Sequence, residues 1–358
     1  DAKINDQNIV FKSEAKLNLD PDVTEIDLTA SISDFRPDIL GLDNHYPGHT
    51  LSAELKANTL GRTIEASDGE ISIKNISYVD DNGEGLKIQN IAIKLYSSES
   101  PRHIDINGDF INGSITGLYE FASLPTNARY IISQYLPALI NEPQNVGNDD
   151  DTAHNIFDID INISPCSELC EFLRLPVSVI SPVSVSGNFN SFSNTLNLYV
   201  DIPFLQQGKQ KIFYDTALGL NMNIGRNLDL YATTSFDTKK GPMVIIIDTK
   251  GQKNRLDTNI DWKIIRDIPI EGTIDFSTTF HRGYDIDMAA FSLPDKTTDY
   301  PLIANIHFNP GKIIFGETVW DIIPSDIIAK TNDITISGFS LMAENEHLNI
   351  NGRVSHNP

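Results

Sequence analysis

The chain has 358 residues, of which 40% are hydrophobic, so it is long enough to bury a core in one or two domains. Its 27 basic and 49 acidic residues give a formal net charge of -22, which should repel nucleic acid and anionic lipid headgroups at long range. We therefore expect no nucleic-acid partner, and we interpret the acidic residues as a solvated exterior because most of them lie in alternating segments.

Hydrophobic and polar residues alternate along most of the chain. The alternation begins with E-I-D-L-T-A-S-I at Glu25, and it returns in T-L-S-A-E-L-K-A at Thr50 and in H-I-D-I-N-G-D-F at His103. Alternation of this kind is typical of antiparallel strands with one buried and one solvated face. The sequence therefore predicts an all-β, mainly antiparallel fold of on the order of twenty short strands. The run M-V-I-I-I-D at Met243 is an exception, and we expect it to be covered on both faces.

Residues 121–141 break the alternation. Apolar side chains recur there at helical spacing, Thr126 can cap the start, and Pro137 can end or kink the segment. The spacing predicts one amphipathic helix over residues 126–140, which we interpret as a plug over one open end of a sheet. Its low positive charge argues against a helix that lies on a membrane surface.

Residues 142–155 are polar and contain three consecutive aspartates, which is typical of a loop or linker. This segment divides the chain into a first block, residues 1–141, that ends in the helix, and a second block, residues 156–358. Because the strand pattern is alike in both blocks, we expect the second block to continue the same sheet.

The stretch F-D-I-D-I-N-I, from Phe157, tests whether paired carboxylates mark a site. Asp158 and Asp160 share one face of a strand, about 6 to 7 Å apart, and together they could hold a divalent ion. The same spacing of Asp and Asn recurs through the chain, however, so we interpret the pair as the solvated side of a strand.

Other candidate sites are equally sparse. His45 and His49 have the spacing of a zinc-binding helix, but Pro47 and Gly48 between them favour a surface turn. The sequence contains no phosphate-binding glycine loop, nucleophile elbow or dinucleotide fingerprint. We therefore predict no catalytic residue, no metal site and no cofactor.

The two cysteines, Cys166 and Cys170, are too few for a metal site. In an oxidising compartment they can form a local disulfide, and two buried thiols fit the sequence as well.

The apolar strand faces can be hidden in two ways. They can pack on each other in a closed sandwich, barrel or solenoid. Alternatively, one long sheet can curl into an open groove whose inner face is left for apolar ligands. Alternation is compatible with both arrangements.

The last part of the chain carries a resemblance. It contains G-K-I-I-F-G at Gly311, W-D-I at Trp320, then I-T-I-S-G-F-S-L and L-N-I-N-G-R-V-S. The first block is similar in style, with G-E-I-S-I-K-N-I-S-Y at Gly69, then I-D-I-N-G-D-F-I-N-G-S-I-T-G and a helix that ends in Y-L-P-A-L. In these patterns the chain resembles the TamB members of the AsmA-like family of bacterial envelope proteins, in the form found in Bacteroides-type bacteria.

The resemblance implies a repeating β-groove with an apolar interior in the periplasm of a Gram-negative bacterium. It also implies phospholipid transport between the inner and outer membranes, or support of outer-membrane protein assembly beside a barrel partner. Such proteins are anchored in the inner membrane by an N-terminal helix. This sequence carries neither that anchor nor a recognisable partner-binding domain, so we expect it to be a segment of a longer protein.

The candidate groove-lining residues, which would bind phospholipid acyl chains, are the apolar members of the longest alternations. They are Ile159, Ile161, Leu196, Leu198, Val200, Leu218, Leu220, Met222, Leu230, Ile260, Trp262, Ile274 and Phe276. Each could instead be an ordinary packed core residue. The competing function is a non-catalytic sandwich or solenoid at the cell surface, for adhesion or carbohydrate binding, although only two tryptophans are present to form an aromatic platform.

Overall fold

The computed structural model describes residues 1–19, 24–42, 45–141, 155–208, 211–223, 227–283, 301–330 and 333–355. The chain divides into two compact units. Unit 1 comprises Asp1–Phe121, His154–Phe189 and Val200–Ile212, and unit 2 comprises Ala122–Ala153, Asn190–Tyr199 and Phe213–Pro358. The predicted loop at residues 142–155 lies outside the described residues except for Asn155.

Unit 1 is built on an antiparallel meander of β1 to β9, in which each of the first eight strands pairs with the next. A short 3-10 turn lies at Ile64–Ala66. Strand β12 is divided between the two units, and its residues 200–207 belong to unit 1. The elements of unit 1 are β1 (Ala2–Asp6), β2 (Ile9–Leu19), β3 (Thr24–Phe35), β4 (Thr50–Leu60), β5 (Asp68–Val79), β6 (Gly85–Tyr96), β7 (His103–Gly108), β8 (Ile111–Leu118), β9 (Ile156–Ile163), α2 (Ser167–Phe172), β10 (Ser178–Val179), β11 (Val183–Asn190) and β12 (Thr195–Gln207).

Unit 2 contains the other helix and a second antiparallel run. From β13 to β17 each strand pairs with the next, and β17 then pairs with β18 through one half and with β19 through the other. The elements are α1 (Leu124–Tyr135), β13 (Lys211–Met222), β14 (Leu228–Thr238), β15 (Gly241–Gln252), β16 (Arg255–Ile264), β17 (Ile270–Arg282), β18 (Leu302–Phe308), β19 (Gly311–Phe315), β20 (Thr318–Ile323), β21 (Ser325–Lys330), β22 (Asp333–Met342) and β23 (His347–Ser355).

The prediction of an all-β, mainly antiparallel fold is confirmed. Strand β9 shows why, because its burial alternates residue by residue, with Ile159 and Ile161 half-buried and Asp158 and Asp160 exposed. Among the described pairings, β1 bonds only to β2 and β23 only to β22, so each unit keeps an unpaired strand edge.

The helix α1 is shorter than the sequence predicted. It begins at Leu124 rather than Thr126, with Pro125 in its first turn, and its N-cap is Ser123. It ends at Tyr135 rather than Ile140, because the ring of Pro137 disfavours helical geometry at the residue before it and supplies no N–H. The N–H groups of Leu139 and Ile140 instead bond to the carbonyl of Leu136 in a closing turn. The second helix, α2, was not predicted.

Each unit has its own small core. In unit 1, Leu95, Ile104 and Tyr119 are almost fully buried and pack with half-buried neighbours such as Ile93 and Phe157. In unit 2 the described buried residues include Ile131 and Tyr135 of α1 and four side chains of the strands. These four are Met222, Leu228, Ile270 and Ile322.

Candidate functional site

Apolar side chains form rows that cross the strands of unit 2. In the strand register Leu218 lies opposite Ala232, Ala232 lies opposite Ile247, and the row continues through Ile260 to Ile274. Side chains that lie opposite each other in an antiparallel pair project on the same side of the sheet. The row therefore makes a continuous aliphatic stripe across five strands, which we call the unit 2 stripe.

A second row runs beside the first on the same face, and the name unit 2 stripe covers both rows. It pairs Leu220 with Leu230, and further along it pairs Thr258 with Phe276. Between these pairs, the hydroxyls of Thr249 and Thr258 lie 3.1 Å apart and bond to each other. Their hydroxyls are therefore satisfied within an otherwise apolar row, and neither row contains a charged side chain.

The unit 2 stripe is only partly covered. The side chains of Leu218 and Leu230 are 44% and 39% exposed, whereas Met222 at the end of β13 is 3% exposed. Ile247, Ile260 and Ile274 are half-buried. Large aliphatic side chains of a tightly interlocked core would be nearly inaccessible, so this face retains surface that water or an apolar ligand can reach.

The predicted lining residues fall into three places. Eight lie on the same face of unit 2: Leu218, Leu220, Met222, Leu230, Ile260, Trp262, Ile274 and Phe276. Ile159 and Ile161 lie in unit 1, and the remaining three occupy alternate positions of β12. These three are Leu196, Leu198 and Val200, all half-buried, with Val200 in unit 1 and the other two in unit 2.

Unit 1 has a corresponding apolar face. Ile159 lies opposite Ile115, which lies opposite Ile104, and Ile104 lies opposite Leu95. Ile161 lies opposite Gly113, and this second row leads to further isoleucines on β7, β6 and β5. The unit 1 rows are more deeply buried than the unit 2 stripe, since Leu95 and Ile104 are 2% and 4% exposed.

The sequence prediction missed some members of these rows. Ile247 belongs to the unit 2 stripe, but it lies in the run at Met243 that does not alternate. We expected that run to be covered on both faces, and the structure differs, because residues 243–247 are all half-buried. Val244 and Ile246 project to the opposite face, where they line a shallow depression of about 390 Å³ with Ile314.

The face opposite the apolar stripe is mostly polar. Tyr231 follows Leu230 on β14, and it lies opposite Asp248 on the neighbouring strand. The next two strands place Asp261 and Thr273 there, with the Thr273 hydroxyl donating to the Asp261 carboxylate. Apart from residues 243–247 of β15, these strands thus separate apolar from polar side chains.

Helix α1 lies against strand ends of unit 2. The Tyr135 hydroxyl donates to the Asn223 carbonyl at 2.8 Å, and the Tyr135 carbonyl accepts from the Asn254 N–H at 2.7 Å. Beyond the helix, the Ala138 N–H donates to Oδ1 of Asn254 at 2.7 Å, and the Ala138 carbonyl accepts from Arg282 Nε at 2.9 Å. The helix is therefore fixed to the turns between strands by specific hydrogen bonds rather than by apolar contact alone.

The other residues singled out from sequence do not assemble a reactive centre. Asp158 and Asp160 face solvent opposite Thr116 and Ser114. His49 lies in an aromatic cluster, with its ring 5.4 Å from that of Tyr78. Within the described ranges, no group of three or more His, Cys, Asp or Glu side chains is placed to hold a metal ion.

Cys166 and Cys170 are free thiols with their Sγ atoms 3.9 Å apart, and Cys166 is the N-cap of α2 whereas Cys170 lies within the helix. Burial, with a further contribution from the neighbouring thiol, raises the pKa of Cys166 to about 11. At neutral pH the Cys166 thiolate is therefore scarce, which makes this side chain a poor nucleophile.

Neither described helix has the length and apolar character needed to cross a bilayer. Comparison of the chain with family models, with curated proteins and with solved structures finds no match.

Proposed function

We propose that the chain is a periplasmic segment of a TamB/AsmA-like protein whose apolar sheet faces shield acyl chains during phospholipid transport between the inner and outer membranes. The resemblance in the strand patterns suggests the family. The observation that carries the proposal is the partial exposure of the unit 2 stripe, since Leu218 and Leu230 are 44% and 39% exposed. A face of this kind leaves aliphatic surface for a hydrocarbon chain to contact.

The physical basis is the hydrophobic effect. A phospholipid that leaves a bilayer loses about 0.8 kcal/mol for each CH₂ group transferred to water. The aliphatic rows of the sheet replace part of the hydrocarbon surroundings that the acyl chains had in the bilayer, while the headgroup stays in water. Because Leu, Ile and Ala offer no directional polar contact, the stripe would bind chains without a fixed register, which suits a ligand that slides along it.

The wider setting belongs to the same proposal. The full-length protein would be anchored in the inner membrane, and a barrel partner in the outer membrane would allow the chain to support outer-membrane protein assembly. The polar, acidic residues on the opposite face would keep the protein soluble although its other face is apolar. No catalytic residue, metal or cofactor is required for any of these steps.

Leu230 and Tyr231 provide a matched test. They are neighbours on β14 with almost equal exposure, 39% and 40%, but they project to opposite faces. A benzoylphenylalanine photo-crosslinker would be placed at one position or the other in the full chain, in bacterial cells that carry it. We expect phospholipid adducts, identified by mass spectrometry, from position 230 and about tenfold fewer from position 231.

Equal labelling at both positions, or none at position 230, would count against an acyl-binding face. The substitutions Leu230→Lys and Tyr231→Lys separate an open face from a closed core. In an open face both variants stay folded and only the first loses co-purifying lipid. In the closed sandwich of an adhesion or carbohydrate-binding module, Leu230→Lys would lower the free energy of unfolding by several kcal/mol, because it buries an unpaired charge.

A further inference from the structure

The two cysteines of the chain lie side by side in unit 1. Cys166 is the N-cap of α2, Cys170 lies within the helix, and their Sγ atoms are 3.9 Å apart. The sequence contains no other cysteine. The sulfur atoms of a disulfide are about 2.05 Å apart, so the pair is about 2 Å from bonding distance.

Cys166 can close that gap by turning its side chain. Its backbone has φ -142 and ψ 45, outside the helical region, so no preceding helical turn restricts its χ1 angle. Rotation between two staggered rotamers moves a cysteine sulfur by roughly 3 Å. The two backbones are already held together, because the Cys170 N–H donates to the Cys166 carbonyl at 2.9 Å.

The two thiols differ in accessibility. Cys166 is half-buried, whereas Cys170 is 3% exposed. A reagent in solution therefore reaches the Cys166 sulfur first, and Cys170 is placed to react with a group that is already bound at Cys166. Paired redox cysteines divide their roles in this way, with an accessible attacking thiol and a neighbouring resolving thiol.

We propose that Cys166 and Cys170 form a reversible dithiol–disulfide couple that exchanges with a disulfide oxidant, R–S–S–R. Cys166 gives up its proton, and its sulfur attacks one sulfur of the oxidant, which breaks the S–S bond and releases R–S⁻. Cys170 then gives up its proton and attacks the Cys166 sulfur, which releases the second R–S⁻. The two protons pass to the two released thiolates. The protein loses two electrons and gains a disulfide, and the oxidant gains these electrons and becomes two thiols.

The raised pKa of Cys166 determines the speed of the first step. Burial, and then the Cys170 thiol, raise this pKa to about 11, so the attacking thiolate is scarce at neutral pH. Between pH 7 and pH 9 the rate should therefore rise about tenfold per pH unit, as the thiolate fraction does. The second step is intramolecular, between sulfurs 3.9 Å apart, so it is faster than the first and the mixed disulfide does not accumulate.

The bond would fasten a short helix. Helix α2 has six residues, fewer than a helix needs to persist without tertiary contacts. At its start the Cys166 N–H donates to the Val179 carbonyl at 3.0 Å. At its end the Phe172 ring stacks on Tyr46 at 4.9 Å, and the Phe172 carbonyl accepts from the Tyr46 hydroxyl at 2.7 Å. A bond from Cys166 to Cys170 adds a covalent link between these two attachments, so oxidation should stiffen α2 and reduction should loosen it.

Thiol–disulfide exchange on the full chain tests the couple. The probe is bis(2-hydroxyethyl) disulfide, which is neutral, because the exposed Glu168 and Glu171 of α2 would repel an anionic oxidant. By mass spectrometry we expect the unaltered chain to lose both thiols and about 2 Da, with no lasting adduct. Cys170→Ser should instead accumulate one mixed disulfide at Cys166. Cys166→Ser should react at least about tenfold more slowly than Cys170→Ser.

Three results would overturn the couple. They are a lasting mixed disulfide on the unaltered chain, retention of both its thiols at pH 9, and equal rates for the two single variants. Circular dichroism checks that each variant is folded, and Cys170→Ala replaces Cys170→Ser if serine at this buried position unfolds the chain. The first two results need only the unaltered chain, so they decide the matter even if both variants unfold.

Hydrogen exchange gives an independent measurement of the effect on α2. The Leu173 N–H donates to the Leu169 carbonyl and the Leu175 N–H donates to the Cys170 carbonyl, both at 2.9 Å. We expect these two amides to exchange at least about threefold more slowly in the oxidised chain, and dithiothreitol to restore the faster rate. The amides of β15 in unit 2 are the internal control and should not change. Equal exchange in the two redox states would show that the bond does not fasten the helix.

The couple does not depend on acyl-chain binding by the unit 2 stripe. A chain that gives lipid adducts at position 230 but forms no disulfide would refute only the couple. A chain that forms the disulfide but gives no adducts would refute only the acyl-binding face.

Discussion

The indole of Trp262 lies over Gly272, the residue opposite it on the neighbouring strand. A Cβ atom at position 272 would be 2.9 Å from the indole Nε1, closer than carbon and nitrogen can approach without movement. The absence of a side chain at Gly272 therefore lets Trp262 lie flat along the apolar face of unit 2.

This relationship predicts the effect of Gly272→Ala. The added methyl should displace the indole, lower the free energy of unfolding by about 1–3 kcal/mol and change the tryptophan emission spectrum. Urea titration followed by fluorescence measures both effects. The control is Gly352→Ala in β23, where no atom lies within 4 Å of the added Cβ. If the two variants behave alike, the indole does not occupy the position described.

Arg102 is a second residue on which local packing depends. Its guanidinium lies 4.7 Å from the Tyr119 ring centroid and donates to the carbonyls of Gly117, Glu65 and Tyr119. Arg102→Met should lower the free energy of unfolding by about 2–4 kcal/mol, because part-buried carbonyls lose a charged donor and the Tyr119 ring loses its cation. Arg102→Lys keeps the charge but cannot bond to all three carbonyls, so we expect an intermediate loss in denaturant titrations. A neutral result for Arg102→Met would show that these bonds contribute little.

Asn254 joins a hairpin turn to the segment after α1. Its backbone has φ 59, in the left-handed region, and its side chain accepts the Ala138 N–H. Asn254→Gly keeps the backbone geometry and loses one hydrogen bond, at a cost of about 1 kcal/mol. Asn254→Ala loses the bond and also strains the backbone by a further roughly 1–2 kcal/mol.

Hydrogen exchange at the amides of α1 measures this difference, because an undocked helix exchanges faster. We expect the Ala variant to exchange faster than the Gly variant, and both to exchange faster than the unaltered chain. The opposite order between the two variants would contradict the role assigned to the left-handed backbone.

The Cys166 thiol predicts how stability depends on pH. Folding raises its pKa to about 11 from an ordinary value of 9.0. A raised pKa means that the folded state holds the proton more tightly, so its stabilising contribution is complete below pH 9.0 and is lost as pH rises to about 11. Under reducing conditions Cys166→Ser should reduce the fall in unfolding free energy over that range. Identical pH profiles for variant and unaltered chain would contradict burial of the thiol.

The strands could be predicted from sequence because their period is unambiguous. From Phe157 to Ile163 in β9 every second residue is apolar, and the structure half-buries those residues and exposes the ones between them. The position of the unit 2 stripe followed from the same period, which correctly grouped residues such as Leu218 and Leu220 on one face. Whether that face binds lipid stays a prediction.

Other features depend on contacts between residues far apart in sequence, which periodicity does not contain. Ile247 was not chosen because its run is apolar on both sides, although the strand register places it in the unit 2 stripe. The end of α1 was misplaced by five residues, since its apolar spacing continued past the point where Pro137 stops the helix. The role of Arg102 could not be predicted, because its hydrogen-bond acceptors are backbone carbonyls, which every residue carries.

The bond between Ala138 and Asn254 also constrains the order in which the chain folds. These residues are 116 positions apart, so during synthesis α1 leaves the ribosome long before its docking turns exist. Over that interval Ile131 and Tyr135, both almost fully buried in the finished protein, have no native surface to pack against. We therefore expect the nascent chain to expose α1 as an aggregation-prone segment. Until the β15–β16 hairpin has emerged, the chain should depend on chaperones that bind unfolded protein.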